Sequence, residues 1–205
     1  MNVIGGKRES IMSAALELFA EQGFETTTVP MIADKAVVGA GTIYRYFTNK
    51  EALGNALFQE CVREFSEAVQ RGYPAEGDAR EQFRHIFFRM VEFAKEQERA
   101  FYLLETHRHA RYLSEESHEL FREMMDFLRA YFRIGREQGI IRPMPSDALI
   151  AIVYGAFAAL YKAIRAGKIQ ETSDLIDSVE QACWDAVRVH PQEEKGGQAA
   201  AQGIS

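Results

Sequence analysis

The sequence predicts an all-α protein of about nine helices. Apolar residues recur at helical period along most of its 205 residues, no run of alternating β-branched residues stands ready to form a strand, and glycine or proline separates the periodic stretches. With 47% apolar and 26% charged residues the chain can bury a substantial core, which excludes disorder as its main state. A first helix is expected over about 7–22, where Ile11, Ala15, Leu18 and Phe19 share one stripe and Gly23 ends it, with Phe24 packing back beneath. Thr26-Thr27-Thr28 offers capping hydroxyls to a short helix reaching about Ala36, with Pro30 in its first turn. The break Val37-Val38-Gly39 leads into another short helix, Ala40 to Phe47, which turns Ile43 and Phe47 inward.

Thr48-Asn49-Lys50-Glu51 reads as a capping box with Thr48 as the cap, opening a long helix that runs to about Arg71 and ends at Gly72-Tyr73-Pro74. Further helices are expected over about 78–97, 99–110, 115–138, 146–166 and 173–189, with Ser146 and either Thr172 or Ser173 as caps. The Gly-, Gln- and Ala-rich residues 191–205 have little to bury and are expected to be a disordered tail. The domain reading is therefore 1–48, then 49–190, then that tail.

The net charge of −6 argues against nucleic acid as a partner of the whole surface, since phosphate binding needs Lys and Arg to release counterions. Residues 1–50 are neutral, however, with five basic and five acidic side chains, so the excess lies wholly in 51–205. Two cysteines, Cys61 and Cys183, make no disulfide framework, and no signal-peptide pattern opens the chain, which points to a reducing cytoplasm. The longest strongly apolar stretch, Ala148 to Leu160, is shorter than the roughly 20 residues that span a bilayer, so no membrane partner is expected.

Helix, short helix, tight turn and short helix is the layout of a helix-turn-helix, whose second short helix enters the DNA major groove. Ala33, Val37 and Ile43 take the three structural positions of that motif: a small residue, the turn residue, and the aliphatic that pins the second helix. With Ile43 and Phe47 inward, Ala40, Gly41, Thr42, Arg45 and Tyr46 are free to reach DNA.

Three stretches then carry a resemblance: Ala14-Ala15-Leu16-Glu17-Leu18-Phe19-Ala20-Glu21-Gln22-Gly23-Phe24, Thr27-Thr28-Val29 with Ile32-Ala33, and Gly41-Thr42-Ile43-Tyr44-Arg45-Tyr46-Phe47-Thr48-Asn49-Lys50-Glu51-Ala52-Leu53. Together, over about residues 8–57, they resemble the N-terminal domain of the TetR/AcrR family of bacterial transcriptional regulators. The resemblance implies that Thr42, Tyr44, Tyr46 and Lys50 hold phosphates, that Arg45 reads bases, and that Thr27 or Thr28 caps the first short helix and touches phosphate. Lys50 in the first turn of a capped helix suits an anion, and an arginine on a groove-facing helix suits guanine O6 and N7. The chain departs from the family pattern at Val37, where glycine is usual because the turn takes positive φ, and at Gly39-Ala40, where Ser-Lys is common.

For the remainder the resemblance implies a ligand cavity among the middle helices and a dimer interface built by the last two. The middle helices are rich in Phe and Met, suiting a small, largely apolar or aromatic effector, and Phe87, Met90, Leu104, His107, Met124, Phe127 and Tyr131 are the candidate lining residues. Ala151, Ile152, Gly155 and Ala159 on one helix, and Ile176, Val179, Cys183 and Val187 on the next, are the candidate interface residues. The expected partners are thus a palindromic double-stranded DNA operator, a small-molecule effector and a second copy of the chain, and the expected activity is ligand-responsive repression.

The alternative is an all-helical metal-binding or enzymatic bundle. His107, His109 and His118 lie close in sequence, but Glu115-x-x-His118 occurs once where a di-iron bundle needs two such motifs, and His107 and His109 point apart on a helix. No nucleophile with its base and no glycine-rich phosphate loop is visible, so no catalytic residue, metal ligand or cofactor is assigned.

Overall fold

A computed structural model describes residues 6–190. Among them it has nine helices: α1 (Lys7–Gln22), α2 (Val29–Lys35), α3 (Ala40–Tyr46), α4 (Lys50–Gln70), α5 (Ala79–Glu96), α6 (Glu98–His107), α7 (Glu115–Glu137), α8 (Ser146–Arg165) and α9 (Ser173–Val187). The all-helical expectation holds. The only extended pairing among the described residues is one isolated antiparallel bridge, Ile141 with Arg188. The expected tail, 191–205, lies outside the described residues. The chain forms two compact units, one ending at Ala130 and one beginning at Tyr131.

In the first unit α1 buries Ile11, Ala15 and Phe19 as its stripe requires, and Gly23, at φ 86°, turns the chain out of the helix. Phe24 does fold back: its ring lies 5.1 Å from that of Phe19. Thr28 caps α2 by accepting from the Met31 amide at 3.5 Å. A salt bridge of 2.8 Å ties Lys35 at the end of α2 to Glu17 of α1, and this partner holds the Glu17 carboxyl below the usual carboxylate range. α4 runs through the middle of the unit with Leu53, Phe58 and Val62 fully buried, and its Phe65 meets Phe93 of α5 edge to face at 5.1 Å.

Two capping expectations are corrected. α4 is capped by Asn49, whose side chain accepts from the Ala52 amide at 2.7 Å, and not by Thr48. Thr48 and Asn49 carry equally suitable side chains. The burial of Phe47 sets the direction in which the chain leaves α3, and it is Asn49 that arrives in extended geometry with its oxygen over the free amides. α8 likewise begins one residue early: Ser146 is its first helical residue, and Pro145 stands at the cap position without a side-chain bond. A complete capping box does exist at α5, where Asp78 accepts from the Glu81 amide at 2.8 Å and Glu81 accepts from the Asp78 amide at 3.2 Å. Thr172 caps α9.

In the second unit the end of α7 closes on the chain that follows it. A Cβ at Gly135 would lie 2.5 Å from the Ile141 side chain, so only glycine admits that approach. The Arg142 amide donates to the Val187 carbonyl and the Val189 amide to the Ile140 carbonyl, which ties this link to the end of α9 around buried Ile141, Leu149, Phe157, Trp184 and Val187. α8 is 20 residues long and, by length and composition alone, apolar enough to cross a membrane.

Candidate nucleic-acid interface

The two short helices owe their arrangement to a few buried anchors. Val29, Ile32 and Ala33 of α2 and Ile43 of α3 are buried, with Phe47 closing the far end, so the opposite side of α3 faces solvent. Ala40, Gly41, Tyr44, Arg45 and Tyr46 are all exposed there and Thr42 is half-buried. Tyr44 and Tyr46, at 55% and 48% exposure, flank Arg45 on a seven-residue helix. Two phenols beside a guanidinium on one projecting surface can reach sugar, phosphate and base edges together.

The turn between α2 and α3 settles what valine does in place of glycine. Val37 takes φ 55° and is 89% exposed, while the Val38 amide donates to the Ala33 carbonyl at 3.0 Å. The turn keeps its left-handed geometry despite the β-branched residue, at a cost of about 1–2 kcal/mol.

Two candidate DNA contacts are placed differently from the rest. Thr27 is fully buried, donating its hydroxyl to the Gly23 carbonyl at 2.8 Å and accepting from Gln22 Nε2 at 3.2 Å, so of the two threonines it is exposed Thr28 that caps α2. Of two adjacent threonines, one must face the core once Phe24 is folded in. Lys50 is half-buried, and its Nζ donates to the Phe24 carbonyl at 2.8 Å and the Thr27 carbonyl at 3.0 Å while lying 4.2 Å from the Phe24 ring centroid.

The candidate ligand residues scatter. Phe87, Met90, Leu104, His107, Met124 and Tyr131 are buried and Phe127 is half-buried with its ring against Tyr73. A cavity of about 280 Å³ lies between α4 and α7, lined by Val62, Arg63, Ser66, Glu67, Gln70, Leu120, Glu123 and Met124. Of the seven candidates, only Met124 lines it. Five of its eight lining residues come from α4 and three from α7. A wider groove of about 500 Å³ in the second unit is lined by Gly139, Ile140, Gln181, Trp184, Arg188 and Val189.

His107 sits among the Phe19, Phe24 and Tyr112 rings, and burial lowers its pKa. Among the described residues no three His, Cys, Asp or Glu side chains gather as a metal ion requires. Cys61 and Cys183 are buried, and burial raises both thiols, Cys183 to about 11.

The candidate interface residues divide by helix. Ala151, Ile152, Gly155 and Ala159 of α8 are exposed, whereas Ile176, Cys183 and Val187 of α9 are buried within the chain's own second unit and Val179 is half-buried. Ile176, Cys183 and Val187 thus pack inside the chain, and a periodic apolar stripe looks the same whether it faces its own chain or another.

A helix-turn-helix with an exposed Arg-Tyr surface, followed by a helical region holding a cavity, defines a DNA-binding regulator. The family model for bacterial regulatory proteins of the tetR family matches residues 11–57, and that for the tetracyclin repressor-like C-terminal domain matches residues 58–189. The chain belongs to the TetR family and is a ligand-responsive, DNA-binding transcriptional regulator. It is 22% identical over 156 residues to the HTH-type transcriptional regulator YhgD of Bacillus subtilis (strain 168), across 75% of this chain and 82% of that protein. It is 39% identical over 75 residues to the fatty acid metabolism regulator protein of the same organism, across 37% of this chain and 39% of that one. A solved structure of a TetR family protein from Vibrio parahaemolyticus matches with TM-score 0.74 at 28% identity, over 90% of this chain and 100% of that chain. TetR family regulators bind DNA and typically dimerise.

Proposed function

We propose that the protein is a cytoplasmic homodimeric repressor that holds a palindromic operator through two copies of α3 and leaves it when a small, largely apolar molecule occupies its helical region. The observation that carries this reading is the exposure of Arg45 between Tyr44 and Tyr46 on a helix whose other face, Ile43 and then Phe47, is buried. Arg45 reads bases, and Thr28, Thr42, Tyr44 and Tyr46, with the backbone at Ala40 and Gly41, position the helix on phosphate and sugar. The exposed small residues of α8 support a two-fold partner, which would place two reading helices about one helical turn of DNA apart. The likeness to a fatty acid metabolism regulator favours an effector with an apolar body. Such a molecule releases DNA only to the extent that it binds the released conformation more tightly.

Selection of bound duplexes from a random DNA pool by the full-length protein, followed by sequencing, tests this. Enrichment of a palindrome with a fixed half-site spacing is expected. Enrichment of an asymmetric site would overturn the dimeric reading, and enrichment of nothing by protein that is folded and free of ligand would overturn operator binding.

A further inference from the structure

We propose that Lys50 and Tyr112 are positioning residues for DNA binding, which act through Phe24 to hold the Gly23–Thr28 segment, and hence the start of α2, against α4. This rests on the DNA-binding reading above but assigns Lys50 a task inside the protein instead of on a phosphate.

The Phe24 ring is where the parts meet. Tyr112, in the link between α6 and α7, stacks on it with ring centroids 3.9 Å apart and planes 14° from parallel. The Lys50 ammonium lies by the same ring and donates to both carbonyls that bracket the segment, those of Phe24 and Thr27. Two hydrogen bonds and a ring contact occupy the ammonium, so a phosphate would have to displace an intact set of partners.

Gly54 shows that α4 is cut to receive this stack. A Cβ there would fall 2.8 Å from the Tyr112 ring and 2.9 Å from the Phe24 ring, and a glycine in the interior of a 21-residue helix otherwise costs about 1 kcal/mol against alanine. Tyr112 is itself held from three sides. Its hydroxyl lies 2.6 Å from His107 Nδ1 of α6, and its carbonyl accepts from Asn55 Nδ2 of α4 at 2.9 Å. Two residues on, the Ser114 amide donates to Asn55 Oδ1 at 2.7 Å. The link between α6 and α7 is thus locked to α4 and reaches the reading helices through one aromatic contact.

The test is equilibrium binding of the full-length protein to the fluorescein-labelled duplex recovered by selection, measured across a salt series well below each variant's melting temperature. Lys50→Met is expected to weaken binding at least tenfold at every salt concentration while leaving the slope of log K against log salt unchanged. A side chain resting on phosphate would instead lower that slope by about 0.9 per charge lost. Tyr112→Leu is expected to weaken binding with the same unchanged slope, and Tyr112→Phe, which keeps the ring and loses the His107 bond, to restore most of the affinity. A slope reduced by about 0.9 in Lys50→Met, or wild-type affinity in Tyr112→Leu, would overturn the proposal. Should Tyr112→Leu not fold, the slope for Lys50→Met and the affinity of Gly54→Ser, expected to fall at least tenfold, decide it. If the wild-type protein binds no duplex, the regulatory reading itself fails, and that outcome is separate from any variant result.

Discussion

α3 and α8 both expose residues that a lone chain would gain by covering, but they expose opposite chemistries. α3 is seven residues long and presents Arg45 between two tyrosines. α8 is 20 residues long and presents alanines, Gly155 and Ile152. A polar-aromatic ridge on a short helix, anchored beneath by Ile43 and Phe47, suits a charged, hydrogen-bonding target such as the edge of a duplex. A smooth face of small apolar residues suits another helix at close approach. The difference teaches that exposure alone does not mark function: the chemistry and curvature of what is exposed select the partner.

If that contrast is right, substitutions on the two helices separate dimerisation from DNA reading. The largest effect is expected from Gly155→Glu. A side chain at Gly155 meets nothing within 4 Å in the chain, so the fold should tolerate it, while two-fold symmetry brings the new charge into an interface twice. The dimer dissociation constant should rise about 100-fold or more, as like charges facing each other cost several kcal/mol. Sedimentation equilibrium measures this, and an unchanged constant would move the interface away from α8.

Next in size is Arg45→Ala, expected to cost about 1–3 kcal/mol and to relax preference at one base position per half-site, read by competition among single-base operator variants. Uniform weakening across all variants would make Arg45 a phosphate contact and erase its distinction from its tyrosine neighbours.

Val37→Gly should stabilise the protein by up to about 1 kcal/mol, the relief of a left-handed β-branched residue less the entropy that glycine adds to the unfolded chain. Denaturant midpoints test it, and no gain would mean that the turn carries no strain.

The smallest effect concerns pH. Burial lowers His107 below its ordinary value of 6.5, so in the window between its folded pKa and 6.5 the unfolded chain binds more protons. Stability therefore rises with pH through that window and is lost as pH falls below 6.5. Urea midpoints at two pH values on either side should show a smaller acid loss in His107→Gln than in the wild type.

Much of the fold could be read directly from residue order. The α1 stripe and the inward Ile43 and Phe47 depend on neighbours three or four positions away, and local spacing encodes such contacts. The exposed α3 surface followed from the same periodicity.

Where two residues were equally suited, the sequence could not choose. Thr48 against Asn49 and Thr27 against Thr28 were decided by where Phe47 and Phe24 are buried, which is a matter of packing. The same holds for α9, whose Ile176, Cys183 and Val187 are buried within the chain itself, a fact that the period of the stripe does not encode.

The sequence by itself determined an all-helical chain, the helix-turn-helix and its outward Arg45, because helical period and caps are local physics. Only the tertiary structure decided that Lys50 points inward to the Phe24 and Thr27 carbonyls and that Tyr112 covers Phe24 beside Gly54. Those partners lie from 23 to 88 positions apart in the chain, and contacts at that separation are chosen by how the helices fill space together.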